Sequence, residues 1–382
     1  MRQLFIYVDD SYNEIKEYFC KNKIQNIFLV CGKSFFKLSI SKYLKKLQDT
    51  CGINIEYFSN FSPNPQYESV VCGVSLFRKK KYDLIIACGG GSAIDVAKCI
   101  KLYSNMPEES GYLHQKIIVN TSIPFLVIPT TAGTGSEATK YAVIYNEGNK
   151  QSITHYSIIP NVVVYDYRVL ELLPDYHKRA SMLDALCHGI EAFWSVNSTD
   201  ESRLYSERAI KLIIQNYKKY LKNDSSCYKD MLLAAYWAGK AINITQTTAG
   251  HAMSYKLTSL YGLAHGHAVA LCVSVLWKYM LNNLNLCKDA RGEKYLREMF
   301  YELDKIFSSN SNLNAADKFI NLLRELGLNK PDLRSTDDIK LLANSVNQDR
   351  LKNNPIYLDS DNIRILYEKV FNRGIYGHRE IY

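Results

Sequence analysis

Between Ile85 and Lys98 the chain reads IIACGGGSAIDVAK, an apolar run that stops in three glycines and resumes as a helical pattern. An apolar strand turning directly into a helix belongs to a parallel sheet, because parallel neighbours need a crossover connection, usually helical. Glycine lets the backbone approach a pyrophosphate closely, and the first amides of a helix starting near Ser92 favour its negative charge. Gly89, Gly90, Gly91 and Ser92 are therefore candidate phosphate contacts. The sixth position of a G-x-G-x-x-G pattern is Ile94, so the standard dinucleotide fingerprint is not met. An ordinary glycine turn with Ser92 as an N-cap remains the alternative.

The surrounding sequence repeats this grammar. Ile27 to Val30 and Ile53 to Phe58 read as strands, Phe36 to Gln48 and Tyr67 to Lys80 as helices, and Asp83 to Cys88 as the strand entering the glycines. A second junction, PFLVIPTTAGTGSEAT at 124 to 139, places Thr130, Thr131, Thr134 and Ser136 on a flexible loop after another buried strand. Two such turns suggest a clamp on an extended phosphate-bearing ligand, against the plain alternative of capping hydroxyls. Beyond Pro174 the texture changes to long helical patterns at Asp175 to Ser195, Ser202 to Lys222, Met231 to Ile244 and Ala249 to Tyr279. The expectation is an α/β dinucleotide-binding domain with a parallel sheet over residues 1–178 and an all-helical domain over 179–382. A length of 382 residues suits two domains.

Charge and cysteine usage remove other classes. The net charge of +9 is dispersed, apart from short runs such as Arg78 to Lys81, and no base-stacking motif accompanies it, so no nucleic acid is expected. No apolar stretch approaches the roughly 20 residues of a membrane span, and the first twenty residues do not read as a secretory signal. Ten cysteines without a C-x-x-C pair fit a reducing cytoplasm. A P-loop fails at Gly32-Lys33-Ser34, because Ile27 stands where its first glycine is required.

MLDALCHGIEAFWS, from Met182 to Ser195, puts Asp184 and His188 four residues apart on one helical face. Such a pair by itself is often a surface hydrogen bond. Three of the eight histidines, however, fall between residues 251 and 267, and His251 and His265 could complete a mixed oxygen and nitrogen site for a divalent metal.

GGGSAIDVAK, PTTAGTGSEAT, DALCHGIEAFWS and the His251 to His265 spacing, in this order, resemble the signatures of the group III, iron-dependent alcohol dehydrogenase family across essentially the whole chain. The resemblance implies a dinucleotide-binding domain followed by a helical metal domain, as in the dehydroquinate-synthase-like fold. It implies Asp184, His188, His251 and His265 as ligands of one Fe²⁺ or Zn²⁺. It also implies cofactor contacts at Gly89, Gly90, Gly91, Ser92, Asp95, Thr130, Thr131, Thr134, Ser136 and Lys150. TKYAVIY, SVNSTDES and the 251–271 segment are most similar to members that reduce phosphonoacetaldehyde to 2-hydroxyethylphosphonate in phosphonate biosynthesis. The implied reaction is reversible hydride transfer between a nicotinamide and a carbonyl carbon, with the metal polarising the oxygen. His267 or Tyr255 is the expected proton source, and Tyr255 replaces the histidine many members carry. Lys140, Lys256 and Arg203 are the expected cations for an anionic aldehyde, and a homodimer is compatible with this reading. Gly32 stands where many members have Asp, and Lys33 and Ser34 follow it. NADP(H) is therefore expected to be preferred, with NAD(H) also admitted; the plain alternative is a turn that needs glycine. Competing functions are reduction of neutral aldehydes, a dehydroquinate-synthase-like lyase reaction without net cofactor turnover, and a non-catalytic binding module.

Overall fold

A computed structural model describes residues 3–107, 111–117, 123–307 and 313–371. The chain divides into two compact units, Met1–Leu173 and Pro174–Tyr382. The division falls at Leu173–Pro174 rather than at residue 178, because Tyr176, His177 and Lys178 already lie in the first helix of the second unit.

The first unit runs β1 (Leu4–Tyr7), α1 (Asn13–Lys21), β2 (Asn26–Cys31), α2 (Ser39–Cys51), β3 (Asn54–Phe58), α3 (Tyr67–Phe77), β4 (Leu84–Gly89), α4 (Gly91–Tyr103), β5 (Phe125–Pro129), β6 (Tyr141–Asn146), β7 (Asn149–Thr154) and β8 (Val162–Tyr165). Among the described residues six strands form one sheet in the order β1-β8-β5-β4-β2-β3, and their pairings are parallel. The inner strands are buried along their length, as expected of a sheet covered on both faces. From β2 the chain steps outward to β3, then returns past β2 to β4 and on to β5, so the order reverses between β2 and β4. An antiparallel hairpin, β6 with β7, stands apart and turns through Glu147 and Gly148, both at positive φ. Its sequence does not announce it, because Glu147 occupies a position that Asn or Asp usually takes.

The second unit contains α5 (Asp175–Trp194), α6 (Asp200–Leu221), α7 (Tyr228–Thr245), α8 (Ala249–Tyr261), α9 (His265–Asn282), α10 (Gly292–Phe307), α11 (Ala315–Glu325), α12 (Thr336–Asn344), α13 (Gln348–Leu351) and α14 (Ser360–Phe371). The second half is helical as expected, with one difference. The pattern from Ala249 to Tyr279 reads as a single helix but forms two, because Gly262 takes the left-handed conformation (φ 68°) that ends α8. The α5 helix is buried almost without interruption from Met182 to Trp194. Trp194 at its end packs edge-on against Trp277 of α9 at 5.2 Å. A helix enclosed on every side must satisfy each polar side chain it carries, and α5 carries Asp184, His188 and Glu191.

Candidate active site

Register sets the glycine loops. Cys31 pairs with Cys88 and Gly89 with Pro129, so the segments starting at Gly32, Gly89 and Thr130 leave neighbouring strands side by side. They do so where the strand order reverses, the crevice in which open parallel sheets bind ligands. The α4 helix starts at Gly91, with Gly90 as its N-cap and no side-chain cap. A Cβ on Gly91 would lie 2.8 Å from Thr134 Cγ2, and one on Gly90 3.2 Å from Thr131 Cγ2. The glycine run therefore also makes room for the threonines of the second loop. Ser92 is not the cap of the plain alternative; it lies within the helix.

Asp95 and Ser136 are brought together with each other. The Ser136 hydroxyl donates to Asp95 Oδ1 at 2.7 Å, and the Val143 amide donates to Asp95 Oδ2 at 3.0 Å. Burial raises the Asp95 pKa, opposed by the charge of Lys98, the Ser136 and Val143 hydrogen bonds and, more weakly, the charge of Lys150 on β7. Lys98, which the sequence reading missed, is fully buried. Its Nζ donates to the carbonyls of Ser136, Thr139 and Tyr141 at 2.6–2.8 Å, and to Thr139 Oγ1 at 3.1 Å. Burial lowers its pKa to about 8 against the opposing pull of Asp95 and Glu137. One ammonium thus fixes the end of the second loop to α4. Gly32 has ordinary extended geometry (φ −78°), and no atom of the described residues lies within 4 Å of a Cβ built there. No backbone requirement for glycine exists at this position, and Lys33 and Ser34 beside it are exposed.

The second unit brings the Asp and His candidates together. Ligand-type atoms of Asp184, His188 and His251 lie within 4.8 Å of one another, and all three residues are buried. The rings of His188 and His251 are nearly parallel, with centroids 4.5 Å apart. Asp184 Oδ1 and His251 Nε2, 3.6 Å apart, are both buried without a hydrogen-bond partner among the described residues. Leaving such atoms unsatisfied is costly, and a divalent cation between them would satisfy both. His265 stands at the rim, its Nε2 3.9 Å from Asp184 Oδ1 and its side chain 37% exposed. Gly266 permits this approach, since a Cβ there would meet the Ala180 carbonyl at 2.0 Å and Asp184 Cβ at 2.7 Å. Burial raises the Asp184 pKa, but His188, His251 and His265 outweigh it and hold the carboxyl below the usual range.

Glu191 is the functional residue that the sequence reading missed here. Its Oε1 accepts from the Thr248 amide (3.1 Å), the Thr248 hydroxyl (2.5 Å) and the His251 amide (3.3 Å), while Oε2 pairs with His251 Nδ1. One carboxylate thereby caps the start of α8 and keeps the His251 proton on Nδ1, leaving Nε2 turned towards Asp184. Burial lowers the His251 pKa, but Glu191 and Asp184 outweigh it and lift it to about 10. Tyr255 stacks on His265 at 6.0 Å, beside the cluster. His267 is buried and engages Tyr176 and the Asn329 carbonyl.

The expected cations sit on separate elements, Lys140 just before β6, Arg203 on α6 and Lys256 on α8. Lys256 lies five residues after His251, which on a helix is a rotation of about 140° away from it. Arg203 donates to the Tyr295 hydroxyl at 2.6 Å and pairs with Asp200. Lys140 lies over the Tyr156 ring at 4.7 Å.

Family models agree with both units: the iron-containing alcohol dehydrogenase model matches residues 4–167, and the family's C-terminal model matches residues 178–371. The chain is 31% identical over 323 residues to the phosphonoacetaldehyde reductase of Streptomyces viridochromogenes, covering 79% of this chain and 80% of that one. It is 26% identical to an NADPH-dependent butanol dehydrogenase of Clostridium saccharobutylicum, covering 87% of each. The crystal structure of an iron-containing alcohol dehydrogenase from Thermotoga maritima superposes with a TM-score of 0.82 at 27% identity, covering 97% of this chain and 98% of that one. A parallel sheet ending in paired glycine loops, a helical unit with a buried Asp–His cluster, and two models of one family lead to a single conclusion: the chain is an oxidoreductase that belongs to the iron-containing alcohol dehydrogenase family.

Proposed function

We propose that this enzyme reduces phosphonoacetaldehyde to 2-hydroxyethylphosphonate with NADPH, holding one Fe²⁺ or Zn²⁺ through Asp184, His188, His251 and His265. The observation that carries the metal assignment is the buried pair of unsatisfied atoms, Asp184 Oδ1 and His251 Nε2, with two further imidazoles beside them. A bound metal supplies Lewis-acid polarisation of the carbonyl oxygen. The chain's own residues do the rest. Glu191 fixes the His251 tautomer, Gly266 lets α9 reach Asp184, and the loops at Gly89–Ser92 and Thr130–Ser136 offer amides and hydroxyls to the pyrophosphate and ribose. Open space at Gly32 beside exposed Lys33 and Ser34 supports the preference for a 2′-phosphate.

The substrate rests on likeness to the Streptomyces enzyme. The test is an aldehyde panel with each nicotinamide cofactor on anaerobically metallated protein. A kcat/KM for phosphonoacetaldehyde at least about a hundredfold above that for butyraldehyde, ~2.7 kcal/mol of transition-state discrimination, is the expected outcome. Equal or better turnover of butyraldehyde withdraws the phosphonate and leaves the family activity. The engagement of Arg203 by Asp200 and Tyr295 favours this second reading, a reductase of neutral aldehydes.

A further inference from the structure

Of the four candidate ligands, His265 is the one at the very start of its helix. It is the first residue of α9, directly after the break Gly262–Ala264. A directed hydrogen-bond chain crosses that break. The Ala264 amide donates to the Tyr176 hydroxyl oxygen at 2.9 Å, and the Tyr176 hydroxyl lies 3.2 Å from His267 Nδ1. His267 Nε2 lies 3.0 Å from the Asn329 carbonyl. A carbonyl only accepts, so Nε2 carries the ring proton and Nδ1 of the neutral imidazole accepts from Tyr176. Every donor in the chain then has one acceptor. Tyr176 stands in the first turn of α5, His267 in the first turn of α9, and Asn329 in the segment after α11. Arg179, one turn after Tyr176, donates to the Leu326 carbonyl of that same segment at 3.0 Å. The start of α9 is thereby tied to the helix that carries Asp184 and His188.

We propose that Tyr176 and His267 form a latch that positions His265 towards Asp184, making His267 a positioning residue rather than the proton donor. The inference rests on the metal assignment proposed above. Its test uses the zinc-loaded protein and three variants, Tyr176→Phe, His267→Gln and His267→Leu, reading Zn²⁺ release to a chromophoric chelator together with the pH profile of kcat. A latch gives zinc release faster by about tenfold or more in Tyr176→Phe and His267→Leu. His267→Gln falls between these and the unmodified protein, because its amide both accepts and donates. The pH profile of the remaining activity keeps its shape. Unchanged zinc release in all three variants overturns the latch. Zinc retained with kcat lost equally in the Gln and Leu variants also overturns it and assigns His267 to proton transfer. If His267→Leu does not fold, as judged by circular dichroism, Tyr176→Phe decides alone, since it removes one oxygen. Failure of the unmodified protein to bind zinc, with His265→Ala indistinguishable from it, removes the metal assignment itself and the latch with it.

Discussion

Glu137, next to Ser136 on the second glycine loop, is 2% exposed, and its Oε1 has no hydrogen-bond partner among the described residues. Burial lifts its pKa to about 7, against weaker opposing effects from a backbone hydrogen bond and Lys98. The folded state therefore binds this proton more tightly than the unfolded chain does. The group's contribution is fully present below about pH 4.5 and is lost as pH rises through about 7. Glu137→Gln should flatten stability across that window, and urea midpoints measured from pH 4.5 to 7.5 check it; an unchanged slope rejects the assignment. At Gly32 the expected effect is on selectivity. Gly32→Asp should fold normally, given the open space, and move the ratio of NADPH to NADH efficiency towards NADH by about tenfold, as a carboxylate repels the 2′-phosphate. An unchanged ratio counts against the Gly32 reading. Individual residues were legible where one segment held the signal, as with Asp184 and His188 one helical turn apart. Glu191 was not, because its role depends on Thr248 and His251, about sixty residues later. Lys98 depends in the same way on carbonyls about forty residues further on.

Elements show a similar division between local and distant causes. The strands β2, β3 and β4 and the helices α5 to α7 follow from apolar periodicity, and their observed ends differ from the expected ones by a few residues. The α8–α9 break does not follow from periodicity, since apolar residues continue through it and only Gly262 marks it. Gly262→Ala should cost about 1 kcal/mol, the price of a Cβ in the left-handed conformation. Thermal or denaturant unfolding checks the value, and an unchanged midpoint would falsify the claim that this φ ends the helix. If the α8–α9 angle changes as well, zinc release should accelerate, because His251 and His265 lie on opposite sides of the break.

At the scale of the whole molecule, the proposed metal and the proposed dinucleotide act on different units. The candidate ligands join α5, α8 and α9 of the second unit, while the glycine loops belong to the first. Removing metal with a chelator should therefore destabilise the helical unit, by ~2.7 kcal/mol relative to protein in free metal at a hundred times its Kd. Hydrogen exchange should speed up in α5, α8 and α9 but not in β4 and β5; equal acceleration in both units contradicts the assignment. The sheet order has a consequence for synthesis. β1 lies at the sheet edge and pairs with β8, Leu4 opposite Val162 and Tyr7 opposite Tyr165. At about 5–20 residues per second, a ribosome takes roughly 8–30 s to make the partner of a strand it has already released. During that interval the nascent chain carries β1 without its strand partner, so the backbone donors and acceptors that β8 later engages stay open to water until residue 165 has been made.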